Sequence, residues 1–261
     1  MNLIDKKFRE LKKLNKKAFI AFITAGYPSL RVTKELVLAL SSAGADIIEL
    51  GVPFSDPMAD GPIIQEASQA ALKKKINLGH ILNLVKSLKK DINTPICLMT
   101  YYNPIFCFGE EKFVSKAVSC GVDGVIIPDL PPEEGASLIK SSRKSGLATI
   151  FFLSPTSQRA RVKFISGASS GFIYYVSLTG VTGPRENIPK DLVNNLKAIK
   201  KITRKPVCVG FGISNNQQVK AIYKVADGVI VGSAIVRKIK ENIGKPGLAK
   251  KVARFVSGLI P

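Results

Sequence analysis

The chain predicts an α/β fold, a (β/α)8 barrel of the TIM type, and two features carry that expectation. Short β-branched or aromatic runs alternate eight times with segments of helical periodicity, the pattern of parallel strands joined by helical crossovers. Several of those runs are apolar throughout, as strands covered on both faces must be. A length of 261 residues is also ordinary for such a barrel. A doubly wound open sheet is the alternative that the same alternation allows.

The strands are expected at Phe19 to Thr24, Asp46 to Gly51, Ile96 to Thr100, Gly124 to Pro128, Ala148 to Leu153, Phe172 to Ser177, Val207 to Gly210 and Gly228 to Gly232. Ahead of the first, Leu3, Ile4, Phe8, Leu11 and Leu14 fall at helical spacing, an extra N-terminal helix suited to covering one barrel end. The basic stretch Lys6 to Lys17 and the apolar Ala18 to Ala25 imitate a signal peptide only faintly. The apolar part is short and runs straight into the turn Gly26-Tyr27-Pro28, so it reads as mature structure. Leu30 to Ala43, with Leu36, Val37 and Leu40, and Asp191 to Ile199, with Leu192, Leu196 and Ile199, are amphipathic helices. Between strands 2 and 3, Asn77 and Gly79 divide Pro62 to Lys75 from Leu78 to Lys90, so one extra helix is expected there. No linker or repeat breaks the chain, and residues 1–261 read as a single barrel domain.

Apolar residues make up 46% and charged residues 22%, an ordinary globular composition. No apolar run approaches the roughly 20 residues of a membrane span. The formal net charge of +20 raises the question of nucleic acid. The lysines, however, fall on outer helix faces, as in Lys73-Lys74-Lys75 and Lys200-Lys201, with no basic run interleaved with aromatics; neither nucleic acid nor membrane is expected as a partner. Cys97, Cys107, Cys120 and Cys208 lack ligand-like spacing and read as reduced thiols of a cytoplasmic protein. His80 is the only histidine and follows Gly79 at a helix start, where an exposed capping role is expected. A site with two histidine ligands is therefore excluded, and no metal is expected.

Chemistry in such a barrel sits on the loops that leave the C-terminal strand ends. Among residues there, only Glu49, Asp56, Asp60 and Asp129 offer acid or base groups. Glu49 ends the second strand and Asp60 lies in the loop that follows, so the two can converge on one volume. Each also has a plain structural reading: a satisfied strand-end carboxylate for Glu49, and a cap for the helix beginning near Pro62 for Asp60. Asp129 fits loop bracing as well as ligand binding. Gly210-Phe211-Gly212 and Gly232-Ser233 follow the last two strands, each leading into a helix. Glycines there admit a phosphate to backbone N–H groups, or serve only tight turns. The loop from Gly180 to Arg185 reads as a lid or a long surface loop. Phe22, Tyr101 and Tyr174 are candidate walls or plain core.

Seven segments then coincide in order with one family: FITAGYP (Phe22 to Pro28), IELGVPFSDPMADGPIIQ (Ile48 to Gln65), TYYNPIF (Thr100 to Phe106), GVDGVIIPDLPPEE (Gly121 to Glu134), YYVSLTGVTG (Tyr174 to Gly183), VGFGIS (Val209 to Ser214) and VGSAIV (Val231 to Val236). The chain closely resembles the α subunit of tryptophan synthase over essentially its whole length. The resemblance implies the same barrel and a cofactor-free retro-aldol cleavage of indole-3-glycerol phosphate to indole and glyceraldehyde 3-phosphate. It implies Glu49 as general acid/base and Asp60 as partner of the indole N–H. Phe22, Tyr101, Tyr174, Thr182, Gly183 and Phe211 would surround the substrate, and Gly183, Gly210, Gly212, Gly232 and Ser233 would hold its phosphate. It also implies a pyridoxal-phosphate-dependent β subunit as partner, in an α2β2 assembly, met by the loops Pro53 to Asp60 and Tyr101 to Phe106. A stand-alone lyase releasing free indole is the alternative. Thr100, where the family pattern is apolar, and the variation over Phe152 to Ser157 leave the indole pocket open.

Overall fold

The run AFIAFIT has no polar residue before its final Thr and forms β1 (Ala18–Thr24), buried at every position. Its neighbours repeat the pattern in a computed structural model that describes residues 2–176, 189–210 and 212–261. They are β2 (Ile47–Gly51), β3 (Ile96–Met99), β4 (Gly124–Ile126), β5 (Ala148–Ile150), β6 (Phe152–Leu153), β7 (Ile173–Val176), β8 (Val207–Gly210) and β9 (Gly228–Val231). All pairings are parallel, in the order β5-β4-β3-β2-β1-β9-β8-β7-β6. The two ends of that order, β5 and β6, are halves of one segment interrupted at Phe151, so β4 pairs on one half and β7 on the other. The expected fifth strand is thus split, and the split joins the ends of the barrel.

Twelve helices accompany the strands among the described residues. The expected N-terminal helix is α1 (Leu3–Lys13), capped by the Asn2 side chain, which accepts from the Asp5 N–H at 2.8 Å. Its buried Ile4, Phe8 and Leu11 enter the barrel's N-terminal end among Ala18, Ile47, Cys97, Ala148, Phe172 and Cys208. Burying three such side chains contributes about 1.5–3 kcal/mol each. The fit is close: a methyl on Gly124 would stand 2.7 Å from Cδ1 of Ile4. α1 is therefore the barrel's floor.

The N-terminal strand ends are tied by a repeated device. Asp46 accepts from the Phe19 N–H at 2.9 Å, Asp123 from Ile96 at 2.8 Å and Asp227 from Val207 at 3.0 Å. Each carboxylate satisfies a backbone donor that the parallel ladder leaves over. Asp123 also pairs with Lys89 at 2.7 Å in a largely buried setting.

The extra helix between strands 2 and 3 is present: Pro62–Leu72 is α3, after α2 (Leu30–Ser42), and Leu78–Leu88 is α4. Asn77 caps α4 by accepting from the His80 N–H, while the His80 side chain is exposed, so the cap expected of His80 belongs to its neighbour. A short helix not foreseen, α5 (Tyr102–Phe108), follows β3, and α6 (Glu110–Ser119) continues from it. The remaining helices are α7 (Ala136–Ser145), α8 (Arg159–Ala168), α9 (Lys190–Ile202), α10 (Asn216–Tyr223), α11 (Ser233–Lys240) and α12 (Leu248–Leu259). Among the described residues no helix is long and apolar enough to cross a membrane.

Candidate active site

Strand alternation sends every second side chain into the barrel, and two rows of those side chains define the site. Phe22, Glu49, Cys97, Gly124 and Ala148 are register partners across β1 to β5. One step nearer the mouth, Thr24, Gly51, Met99, Ile126 and Ile150 form the next row. Glu49 is thus held between apolar and thiol side chains above the floor made by α1.

Glu49 is fully buried, and neither carboxylate oxygen has a hydrogen-bond partner among the described residues. That is the reverse of a satisfied strand-end carboxylate. Burial pushes its pKa up to about 8, and the charge of Asp60 adds to the rise. Unpartnered buried polar atoms are rare in native proteins because each carries its full desolvation cost. A carboxyl kept in that condition has a pKa near the working pH of a proton-transfer group.

Asp60 closes a loop whose backbone bends at Pro57, with the Asp60 N–H donating to the Pro57 carbonyl at 3.0 Å. The helix after it, α3, is capped by Gly61 without any side-chain bond, so the Asp60 carboxylate is not its cap. That carboxylate instead faces the Tyr101 hydroxyl, which accepts from the Ala59 N–H at 2.9 Å. Burial raises the Asp60 pKa to about 6 against the lowering effect of the Tyr101 hydroxyl. Tyr101 is buried, stacks on Phe54 with ring centroids 5.0 Å apart, and has its own pKa raised by burial and by Asp60. Across the barrel Tyr174 is raised far above the ordinary tyrosine range by burial and then by Glu49 and Asp60. Two carboxyls and two phenols therefore share one weakly solvated volume.

The glycines at the last two strand exits have a steric role that sequence did not reveal. A methyl on Gly210 would lie 2.6 Å from Cε1 of Tyr174, and one on Gly232 would lie 3.2 Å from Cδ1 of Phe22. Gly51 likewise gives way to Phe22, at 2.6 Å from its Cζ. Both aromatic rings are thus seated over glycines. β8 and β9 are neighbours, which brings Gly210 and Gly232 to adjacent exits. α11 begins at Ser233 with Gly232 as a cap that offers no side-chain acceptor, leaving its first N–H groups for another anion. Gly212 has φ +38° and open space around its Cα. Thr182, Gly183 and the loop 180–185, together with Phe211, lie outside the described residues.

Asp129 accepts from the Tyr102 N–H at 2.9 Å, bracing the first turn of α5. Asp56 is exposed and accepts from the Ser55 hydroxyl at 2.5 Å. Thr100 is buried and donates to the Tyr101 carbonyl at 3.2 Å, so its hydroxyl is used by its own neighbour. Phe152, seen in the sequence only as a departure in a motif, packs its ring on Tyr174 at 4.8 Å between centroids. Its inward position follows from the parity of β5 continued across Phe151, a register that sequence does not print.

Comparison with known proteins agrees with this fold. The family model described as tryptophan synthase alpha chain matches residues 8–257. The tryptophan synthase alpha chain of Geotalea daltonii is 51% identical over 259 residues, covering 99% of this chain and 98% of that one. That of Thermoanaerobacter sp. (strain X514) is 44% identical over 259 residues, with 99% and 98% covered. Among solved structures, tryptophan synthase subunit alpha from Legionella pneumophila superposes with a TM-score of 0.92 at 38% identity, covering 99% of this chain and 97% of that one. A chain of the tryptophan synthase complex from Pyrococcus furiosus gives 0.85 at 39% identity, with 93% and 97% covered. With matches of this extent in sequence and in fold, the chain belongs to the tryptophan synthase alpha chain family, lyases that act on indole-3-glycerol phosphate.

Proposed function

We propose that Glu49 and Asp60 carry out the cleavage of indole-3-glycerol phosphate to indole and glyceraldehyde 3-phosphate. The observation that carries this reading is the buried, unpartnered Glu49 carboxyl with its pKa near 8, electrostatically coupled to an Asp60 near 6. At neutral pH Glu49 is protonated and Asp60 ionised. Glu49 delivers its proton to C3 of the indole ring, which places positive charge on the ring nitrogen. Asp60 accepts the indole N–H and stabilises that charge, as a fixed carboxylate in a weakly solvated site does best. Glu49, now ionised, takes the proton of the hydroxyl on the carbon next to C3. The carbon–carbon bond breaks, its electron pair restores the neutral indole ring, and the hydroxyl carbon becomes the aldehyde. One proton is given and one recovered, so the step balances without a cofactor on this subunit.

Phe22, Tyr101, Tyr174, Phe211 and Thr182 are assigned to the substrate's surroundings, and Gly183, Gly210, Gly212, Gly232 and Ser233 to its phosphate. The free first turn of α11 supports the phosphate assignment. The partner in this reading is a pyridoxal-phosphate-dependent β subunit in an α2β2 assembly within the cytoplasm. Exposed apolar side chains at the mouth support such a contact: Met58 is 83% and Phe106 66% exposed. Residues 1–261 act as one domain, since one sheet order passes through every strand and α1 fills its floor.

The test is indole release by Glu49→Gln in a single-turnover assay. Loss of release with an unchanged circular-dichroism spectrum is expected; near-normal release would overturn the assignment.

A further inference from the structure

Besides the Glu49 carboxyl, one fully buried side-chain oxygen inside the barrel has no partner among the described residues. Thr24 is 2% exposed, and its Oγ1 makes no hydrogen bond. The other unpartnered buried hydroxyls, on Ser142, Thr149, Ser169 and Tyr223, belong to helices, to a helix end or to the outward side of β5. Thr24 faces inward by the parity that it shares with Ala18, Ile20 and Phe22 on β1. Its register partner is Gly51, which presents no side chain, and it stands one row nearer the mouth than Glu49. Thr24 and Glu49 are on adjacent strands, yet they do not bond to one another.

A buried hydroxyl without a partner is costly, and valine has the same shape and a strong strand preference. Thr at this position therefore sacrifices stability that Val would keep, unless a ligand supplies the missing partner. We propose that the Thr24 hydroxyl is a further substrate-contacting group, hydrogen-bonded to a hydroxyl of the substrate's glycerol chain and holding that chain over Glu49. The inference rests on the reaction proposed above. It assigns β1 a recognition role for the polyol chain, distinct from the ring and phosphate contacts.

The experiment compares wild type, Thr24→Val, Thr24→Ser and Glu49→Gln for cleavage. It also measures binding of a substrate analogue that keeps the indole ring and phosphate but carries hydrogen in place of the chain hydroxyls. Thr24→Val is expected to lower kcat/KM about 10-fold, the usual weight of one uncharged hydrogen bond left unmade. Thr24→Ser keeps the hydroxyl and is expected to stay close to wild type. Affinity for the analogue is expected to be unchanged by Thr24→Val, and resistance to urea unchanged or raised. A merely structural Thr24 would lower stability and weaken both ligands alike, and that result overturns the proposal. Unchanged kcat/KM in Thr24→Val, alongside an inactive Glu49→Gln, overturns the proposal and leaves the assignment of the reaction standing. An active Glu49→Gln removes the reading beneath it. Thr24→Ala serves as a second variant with the same expected loss, should Thr24→Val fold poorly.

Discussion

Replacing Glu49 by Gln keeps the side chain's shape and removes its titration, so the variant isolates what the buried carboxyl does to stability. The folded-state pKa lies near 8 against an ordinary value of 4.5. Below about 4.5 the group is protonated in both folded and unfolded chains and has no differential effect. Between about 4.5 and 8 the folded chain holds a proton that the unfolded chain has lost, so stability falls as pH rises. The slope is about 1.4 kcal/mol per pH unit, up to about 5 kcal/mol across the whole window. Asp60 contributes its own slope below about 6, since its pKa is raised from 3.8 to about 6. From pH 6 to 8 the difference between wild type and Glu49→Gln therefore reports Glu49 alone, and wild type should lose about 2 kcal/mol relative to the variant, the slope flattening as pH reaches the folded pKa. Urea denaturation followed by circular dichroism at pH 6, 7 and 8 measures this directly. Parallel loss of stability in the two proteins would mean that Glu49 titrates elsewhere, and the reasoning from burial would fail. In the same variant, loss of the general acid should lower kcat by about 10²- to 10⁴-fold.

The two carboxyls also set the pH profile. kcat/KM should be maximal between about 6 and 8, needing Asp60 ionised and Glu49 protonated, with both limbs belonging to the coupled pair; a rate still level well above pH 9 speaks against the scheme. Gly210→Ala, whose methyl would stand 2.6 Å from the Tyr174 ring, should impair cleavage and stability more than Gly232→Ala, where the distance to Phe22 is 3.2 Å. The expected cost of the former is about 1–3 kcal/mol in urea unfolding, and the opposite ranking would contradict the seating of the rings. Asp123→Ala leaves Lys89 and the Ile96 N–H without their partner and should cost about 3 kcal/mol, whereas Asp91→Ala breaks only an exposed pair with Lys34 and should cost below about 1 kcal/mol. Replacing both Met58 and Phe106 by Ser should leave basal cleavage intact and weaken activation by the β subunit, read by turnover with and without that subunit; full activation would remove these loops from the contact.

Periodicity located the strands because their apolar runs are long and glycine or proline bounds them. It missed the break at Phe151, since β5 and β6 are continuous in sequence and only the pairing on each side separates them. α5 was also hidden, because an aromatic segment of seven residues starting just after a strand has no helical period to show. For the candidate site, motif and strand-exit position single out Glu49 and Asp60, but not the physical state of either. That Asp60 faces Tyr101 rather than capping α3, and that Glu49 has no partner among the described residues, follow from register and loop path. Sequence leaves Gly210 and Gly232 open between phosphate contacts and tight turns, and their packing against Tyr174 and Phe22 depends on ring positions across the barrel. Thr24 is only the last residue of a strand in the sequence, and its unpartnered hydroxyl is set inside the barrel by register.

In the proposed reaction Glu49 waits in the resting enzyme with its proton in place. Infrared difference spectra between wild type and Glu49→Gln, taken as a function of pH, test it most directly. A protonated-carboxyl band is expected at pH 7, converting to carboxylate around pH 8. A difference spectrum showing only carboxylate at pH 6 would contradict it.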